Sequence, residues 1–298
     1  MVGSSVFGPE PVGAVLSSRG FTIEAKGNVG DILLPLDSPS ALAGETINEF
    51  RRLFAHSSFR KLVRNITAGG GNATMAELRT IAGRQADEYV RFLVDLGVAE
   101  IQDDEVNLIR KINNIGPSLE WYVADICQRQ FAGSADWSVK LADFEYNDFD
   151  VIAWLPPILV YIETKSSRPS EVSDSELRNF LQRGVELAPE LAILLIDTDD
   201  DLEVTGFLER LFALMIPTVK LASGITDPEW APERRFIAPA QGFSGISFGY
   251  LRYYVTNSEP SIHTQLAKCL RHYNKMVKGR PFLGGEPVNF VTGTIEAN

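Results

Sequence analysis

The stretch that decides the fold is FDVIAWLPPILVYIETK, at residues 149–165. Two apolar runs, each long enough for a strand, flank Pro156-Pro157, and this pair predicts a tight turn between antiparallel neighbours. The start of the first strand then lies beside the end of the second, so we expect Asp150 to meet Glu163. Alternation along the second strand puts Glu163 and Lys165 on one face, while Thr164 points away and presents its carbonyl.

These residues have the chemistry of a site for a divalent cation. Two carboxylates and a backbone carbonyl are hard oxygen ligands, which suit Mg2+ or Mn2+ with waters completing the shell. We therefore predict a metal site formed by Asp150, Glu163 and Thr164, at which the metal acts as a Lewis acid and activates water. Lys165 is expected beside that water, which it orients, and it offsets charge on the phosphate. The alternative is that Glu163 and Lys165 form a surface ion pair at a strand end.

The segments around this hairpin predict an α/β (α+β) fold. Antiparallel strands followed by strand-helix-strand units indicate a mixed β-sheet flanked by helices. The elements that we predict are a helix from Pro117 to Phe131, a strand from Trp137 to Phe144, a helix from Asp174 to Leu187 capped by Ser173, a strand from Leu191 to Ile196, a helix from Leu202 to Met215 and a strand from Thr218 to Leu221.

This frame, over about residues 115–222, and the pattern of Asp150 with Glu163-x-Lys165 resemble the PD-(D/E)XK nuclease superfamily, whose fold is restriction-endonuclease-like. The resemblance implies that Glu120, on the helix before the first strand, joins the metal shell, and that at least one ion is bound. It makes Asp150, Glu163, Lys165 and Glu120 the catalytic residues. Phe149 stands where the name-giving proline would be, and the nearby Asp148 is an alternative ligand to Asp150.

The function that the resemblance implies is Mg2+-dependent hydrolysis of nucleic-acid phosphodiester bonds, with DNA as the favoured substrate. Many nucleases of this type act as dimers, so a homodimer is an expectation, although no interface is evident in the sequence. The rival hypothesis is a non-catalytic DNA-binding or regulatory protein that keeps the nuclease scaffold.

Residues 45–114 resemble a winged helix-turn-helix module in the order of their elements. A helical pattern from Glu45 to Ala68 is followed by a capping box at Thr74–Glu77 with a short helix, a helix from Ala86 to Leu96, and a hairpin from Val98 to Ile109. A domain for protein contact or dimerisation is an equal alternative. Acidic residues in the recognition helix favour this alternative, because phosphate backbones reward clustered Lys and Arg.

Outside these segments we predict an N-terminal arm or hairpin over residues 1–44 and a C-terminal extension over residues 226–298. The extension contains a helix from Ser261 to Val277 with basic residues at spacings of three and four, which stack on one face. This stripe is a candidate contact for the phosphate backbone, or an ordinary solvated helix face. Its members are Lys268, Arg271, Lys275 and Lys278.

Composition limits the setting in which the chain works. The net charge of -11 argues against a protein that binds nucleic acid through bulk charge, so any contact must come from a local patch. The only cysteines, Cys127 and Cys269, fall in amphipathic segments and do not suggest a disulfide framework or a zinc cluster. No segment reaches the roughly 18 to 20 apolar residues of a membrane helix, so we expect a cytoplasmic protein without a membrane partner.

Overall fold

The computed structural model describes residues 11–35, 44–110, 112–142, 144, 148–202, 205–223, 233–235, 243–248 and 251–278. The helices are α1 (Val12–Ser18), α2 (Gly44–Phe54), α3 (Ser57–Ala68), α4 (Met75–Ala82), α5 (Ala86–Asp95), α6 (Gly116–Gln130), α7 (Asp174–Leu187), α8 (Phe207–Ser223) and α9 (Ile262–Lys278). The strands are β1 (Ile23–Ala25), β2 (Asn72–Thr74), β3 (Ala99–Gln102), β4 (Glu105–Leu108), β5 (Ser134–Leu141), β6 (Phe149–Leu155), β7 (Ile158–Lys165), β8 (Leu191–Ile196), β9 (Glu233–Arg235), β10 (Phe243–Phe248) and β11 (Leu251–Thr256).

A mixed sheet forms the centre of the molecule, with the strand order β1-β5-β6-β7-β8-β11-β10-β9. Strands β1, β5, β6 and β7 pair antiparallel with their neighbours, and β8 lies parallel to both β7 and β11. Strands β11, β10 and β9 again pair antiparallel. The predicted mixed sheet flanked by helices is therefore confirmed. Because β7, β8 and β11 run in the same direction, their carboxyl ends lie at one edge of the sheet.

The two faces of the sheet are covered by different parts of the chain. Helices α6 and α9 and the N-terminal helices α2 to α5 share one apolar cluster with residues such as Val151, Val160 and Ile193. Helices α1, α7 and α8 pack on the other face with residues such as Ile152 and Leu194. Burial on both faces explains why β6, β7 and β8 read as nearly continuous apolar runs.

The N-terminal helices carry a small sheet of their own. Its strand order is β2-β4-β3, and the turn between β3 and β4 holds Asp103 and Asp104 at positive φ. The predicted capping box at Thr74 and Glu77 is confirmed at the start of α4, as is the one formed by Ser173 and Glu176 at α7. Among the helices of the described ranges, none has both the length and the apolar character needed to cross a membrane.

Three of the predicted elements were wrong. The pattern from Glu45 to Ala68 is two helices, α2 and α3, with a break after Phe54. The strand expected at Thr218–Leu221 is helical, because α8 continues to Ser223, and β11 takes the place beside β8. The arm over residues 1–44 contains α1 as well as an extended piece, β1, which pairs with β5.

Residues 1–10 and 36–43 of that predicted arm lie outside the described residues, as do residues 279–298 of the C-terminal extension. Within the extension, the helix predicted at Ser261–Val277 is confirmed as α9. Before this helix, β10 and β11 pair antiparallel and extend the central sheet beyond β8.

A buried ion pair joins the N-terminal helices to the sheet. The guanidinium of Arg60 on α3 is fully buried and donates to Asp197, just beyond β8, at 2.7 to 3.0 Å. It also donates to the carbonyls of Phe54 and Ala55, which have no partner inside α2 once that helix ends. Arg64 adds a second bond to Asp197, at 2.8 Å. Arg60 thus stabilises both the break between α2 and α3 and the docking of α3.

Loss of this pair should destabilise the protein strongly. We expect Asp197→Ala to lower the free energy of unfolding by about 3–5 kcal/mol, because it leaves the charge of Arg60 buried without compensation. The measurement is urea denaturation followed by circular dichroism. As a control, Arg52→Ala removes exposed pairs with Glu49 and Glu88 and should cost at most about 1 kcal/mol. Similar losses in the two variants would contradict the assignment.

Candidate active site

The pairing of β6 with β7 places Asp150 beside the Glu163–Lys165 segment. Val151 is the register partner of Ile162, so one further step along the ladder sets Asp150 opposite Glu163. The Oδ2 atom of Asp150 accepts hydrogen bonds from the N–H of Thr164 at 2.7 Å and from its hydroxyl at 3.2 Å. Thr164 thus contacts Asp150 through two donors, and its role as a carbonyl ligand stays a prediction.

Both carboxylate oxygens of Glu163 are engaged, and the side chain is buried. Oε2 accepts from Nη1 of Arg183 at 2.8 Å and from the hydroxyl of Tyr161. Oε1 is 2.9 Å from Nζ of Lys165. The buried Arg183 on α7 and the half-buried Lys165 therefore balance the charge of Glu163 from two sides.

Lys165 is held in its charged form by its neighbours. Burial alone would lower the pKa of Lys165, but the carboxylates of Glu163 and Asp150 outweigh this effect and raise its pKa above the ordinary value. Nζ also lies 3.3 Å from Oε1 of Glu176, in the first turn of α7. Lys165 is thus an ammonium at neutral pH, and it supplies positive charge to the site.

Glu120 on α6 is a carboxylate with an incomplete set of partners. Its Oε2 atom is buried and accepts no hydrogen bond from the part of the chain that the structure describes. Burial raises the pKa of Glu120 to about 7, and the negative charges of Glu163 and Asp148 add to the effect, against a hydrogen bond with Ser138 that lowers it. Ser138 has a left-handed backbone, with φ of 48°.

Negative charge is in excess where these side chains meet. The pKa of Asp150 is raised well above its ordinary value, first by burial and then by the charges of Glu163 and Glu120. Four acidic side chains, Glu163, Asp150, Glu120 and Glu176, thus meet two cations, Lys165 and Arg183. Of the two aspartates that the sequence left open, Asp148 is exposed and Asp150 is the one bonded to Thr164.

The acidic side chains of this site raise the question of whether they could bind a divalent cation. No group of three or more His, Cys, Asp or Glu side chains is arranged to hold a metal ion among the described residues. Both oxygens of Glu163 are engaged by cations of the chain itself, Lys165 and Arg183. The unpartnered oxygen of Glu120 and the raised pKa of Asp150 nevertheless mark carboxylates that lack a counter-charge. Carboxylate oxygens are the atom type that a hard cation prefers.

Tyr161, Arg183 and Glu176 belong to this site, and our sequence analysis did not identify them. A signal was present for Arg183, which lies three residues after Phe180 and four before Leu187 on the buried face of α7. A charged residue in an apolar stripe is rarely buried unless it is paired. Tyr161 could have been found by alternation, since it shares the face of β7 that carries Glu163 and Lys165.

A cleft of about 1000 Å3 opens directly after Lys165. Helix α3 forms one wall, and the segments after β7 and β8 form the rest. The N–H of Asp197 donates to the carbonyl of Lys165 at 2.7 Å and fixes the two strand ends side by side. Residues that line the cleft include Lys61, Arg64, Asn65, Ser166, Ser167, Arg168, Glu171, Thr198, Asp199 and Asp200.

The basic stripe on α9 is not brought to the acidic side chains. Arg271 lines a second pocket, of about 570 Å3, together with Pro156 and Pro157 at the turn between β6 and β7. That turn is at the opposite end of β7 from Lys165, roughly 26 Å away at about 3.3 Å per residue. Lys275 is exposed and Lys268 is half-buried, while the side chain of Lys278 lies outside the described part of the chain.

Comparison with known proteins adds little to this geometry. No family model matches the sequence, and no curated protein matches it significantly. The chain is similar to the crystal structure of protein VC1899 from Vibrio cholerae at 14% identity and a TM-score of 0.39, over 74% of this chain and 63% of that protein. The chain therefore spans less than two thirds of the length of VC1899, and a likeness this weak supports no functional inference.

Glu120 should make stability depend on pH. Its pKa is about 7 in the folded protein against 4.5 ordinarily, so the folded state binds its proton more tightly than the unfolded state does. Its contribution to stability is complete below pH 4.5 and is lost as the pH rises through 7. In EDTA, we expect Glu120→Gln to exceed the wild type in free energy of unfolding by up to roughly 3 kcal/mol at pH 8. The difference should disappear at pH 4. Urea denaturation at both pH values checks this, and an equal difference at both would contradict it.

Proposed function

We propose that this chain is a metal-dependent nuclease that hydrolyses nucleic-acid phosphodiester bonds, with DNA as the favoured substrate. The observation that carries the proposal is the meeting of Asp150, Glu163 and Lys165 where β6 begins and β7 ends. Glu120 adds a carboxylate oxygen that is buried and has no hydrogen-bond partner among the described residues. A nuclease needs such negative charge to bind its cation and such an ammonium to meet the phosphate.

The order of elements around the site supports a restriction-endonuclease-like core of the PD-(D/E)XK type. Helix α6 with Glu120 precedes the antiparallel strands β5, β6 and β7, and α7 then leads to β8, parallel to β7. We infer that the site is also of the PD-(D/E)XK type. Asp150 on β6 would be its aspartate, and Glu163 and Lys165 on β7 would be its glutamate and lysine.

In this mechanism Asp150, Glu163 and Glu120 would hold Mg2+ or Mn2+, and the carbonyl of Thr164 would be a further oxygen ligand. The ion, when bound, supplies Lewis acidity to the scissile phosphate. Lys165 remains protonated, so it orients the attacking water and stabilises negative charge on phosphorus instead of removing a proton. Arg183 and Tyr161 hold Glu163 in place, since both bind its Oε2 atom.

The cleft beside Lys165 is the place that we propose for the nucleic-acid strand. Ser166, Ser167 and Arg168 follow Lys165 directly, so they would contact the backbone next to the scissile phosphate. Helices α3, α4 and α5 with the sheet β2-β4-β3 are consistent with a winged-helix-like module. Helix α3, which lines the cleft, would then contact the nucleic acid there. The basic stripe on α9 would bind the phosphate backbone of a long substrate at a more distant point.

A homodimer would bring together two active sites, one for each strand of a DNA duplex.

Two substitutions test catalysis. We expect Asp150→Asn and Lys165→Ala each to reduce Mg2+-dependent cleavage of plasmid, linear, single-stranded and RNA substrates by at least about 100-fold, the usual scale for loss of a group that stabilises transition-state charge. Circular dichroism should show folded protein in both cases. Arg19→Ala, which removes an exposed arginine paired with Glu190 and outside every proposed binding element, is the matched control for lost charge. Full cleavage by either site variant would refute the assignment.

The second candidate function is a non-catalytic DNA-binding or regulatory protein that retains the scaffold. The complete pairing of Glu163 with Lys165, Arg183 and Tyr161 favours it, because a site that never binds a metal needs such internal compensation.

A titration with Mn2+ separates the two functions. A catalytic site should bind Mn2+, and Asp150→Asn should weaken that binding about tenfold or more, as expected for loss of a ligand charge. Isothermal calorimetry without nucleic acid measures this directly. No heat of binding up to millimolar Mn2+, in a protein that still binds DNA, would favour the regulatory function.

A further inference from the structure

Lys165 lies between two carboxylates that come from different elements. Its Nζ atom is 2.9 Å from Oε1 of Glu163 on β7 and 3.3 Å from Oε1 of Glu176 on α7. The Glu163 side chain is 4% exposed, whereas that of Glu176 is 40% exposed. The ammonium therefore stands between a buried carboxylate and an exposed one, within 3.3 Å of both.

The two cationic partners of Glu163 differ in how firmly their side chains are held. Arg183 is buried and shares the Oε2 atom with Tyr161, so its guanidinium is fixed by a second polar group at 3.4 Å. Lys165 contacts the other oxygen, Oε1, and its side chain is 17% exposed. Oε1 is thus the atom of Glu163 that a divalent ion can reach once Lys165 moves.

We propose that Lys165 occupies the place of the divalent cation at Glu163 and moves onto Glu176 when that ion binds. This inference rests on the proposed function and describes how its metal site is controlled. An ammonium and a divalent cation on the same carboxylate oxygen repel each other strongly at such short distances. Glu176 is then a positioning residue, which receives Lys165 and holds it at the edge of the site.

Glu176 is suited to this role by the way its two oxygens are used. Oε2 accepts from the N–H and the hydroxyl of Ser173, both at 2.8 Å, in the capping box of α7. Oε1 remains directed at Lys165. A capping box accepts Gln in place of Glu at this position, so Glu176→Gln keeps the start of α7 and removes the charge.

The test is a calorimetric titration with Mn2+, without nucleic acid, of the wild type, Lys165→Met, Glu176→Gln and the double variant. Lys165→Met should bind Mn2+ about tenfold tighter or more, although cleavage is lost. Glu176→Gln should bind several-fold weaker than the wild type. In the Lys165→Met background, Glu176→Gln should have little effect on Mn2+ affinity, because no ammonium is left for Glu176 to receive. A simple loss of negative charge would instead weaken Mn2+ binding in both backgrounds. Lys26→Met, at an exposed pair with Asp136, is the control and should not change the affinity.

Two results would overturn the inference. Unchanged or weaker Mn2+ binding in Lys165→Met, confirmed in Lys165→Gln, would show that the lysine does not compete with the ion. If the wild type still binds Mn2+ and Asp150→Asn weakens that binding, the metal site stands and only the displacement fails. If no variant binds Mn2+, the metal site of the proposed function fails together with the displacement.

Discussion

The guanidinium of Arg60 is buried completely, and the arrangement of the molecule depends on how its charge is balanced. Its carboxylate partner, Asp197, lies beyond the end of β8, and the N–H of the same residue binds the carbonyl of Lys165. The burial of Asp197 would raise its pKa, but Arg60 and Arg64 outweigh this and lower it, so the acid stays charged. One residue therefore links helix α3, the edge of the sheet and the strand that carries the candidate site.

The opposite balance of charge holds at the candidate site. At Glu120 and Asp150, which are both half-buried, burial and neighbouring acids raise the pKa, so the site disfavours their ionised forms. A fold that can build a fully compensated buried pair at Asp197 could have done the same here. Local conflicts with the rules of stability are typical of functional sites, where the missing partner is a substrate or an ion. The contrast between the two clusters is the physical basis of the proposed function.

The elements around the site could be predicted where a local signal was strong. The boundaries of β6, α7 and β8 follow from the paired prolines, from the capping box at Ser173 and from a short apolar run, and all three agree with the structure. The strand at residues 218–221 could not be resolved, because a short apolar segment suits either a strand or a helix. The break after Phe54 depends on Arg60, whose partner Asp197 is 137 residues distant in sequence. The approach of Asp150 to Glu163 followed from strand alternation, whereas the contact of Arg183 with Glu163 required the packing of α7 on the sheet.

One apolar cluster runs without interruption from the N-terminal helices, through α6, into the central sheet. The ring of Phe54 packs at a tilt against Tyr122, and Phe50 packs edge-on against Trp121, so aromatic contacts join α2 to α6. The N-terminal helices are consequently not an independent unit, because their core is also the core of α6 and the sheet. A fragment starting at α6 would expose the apolar residues of this cluster to solvent, and we expect it to aggregate.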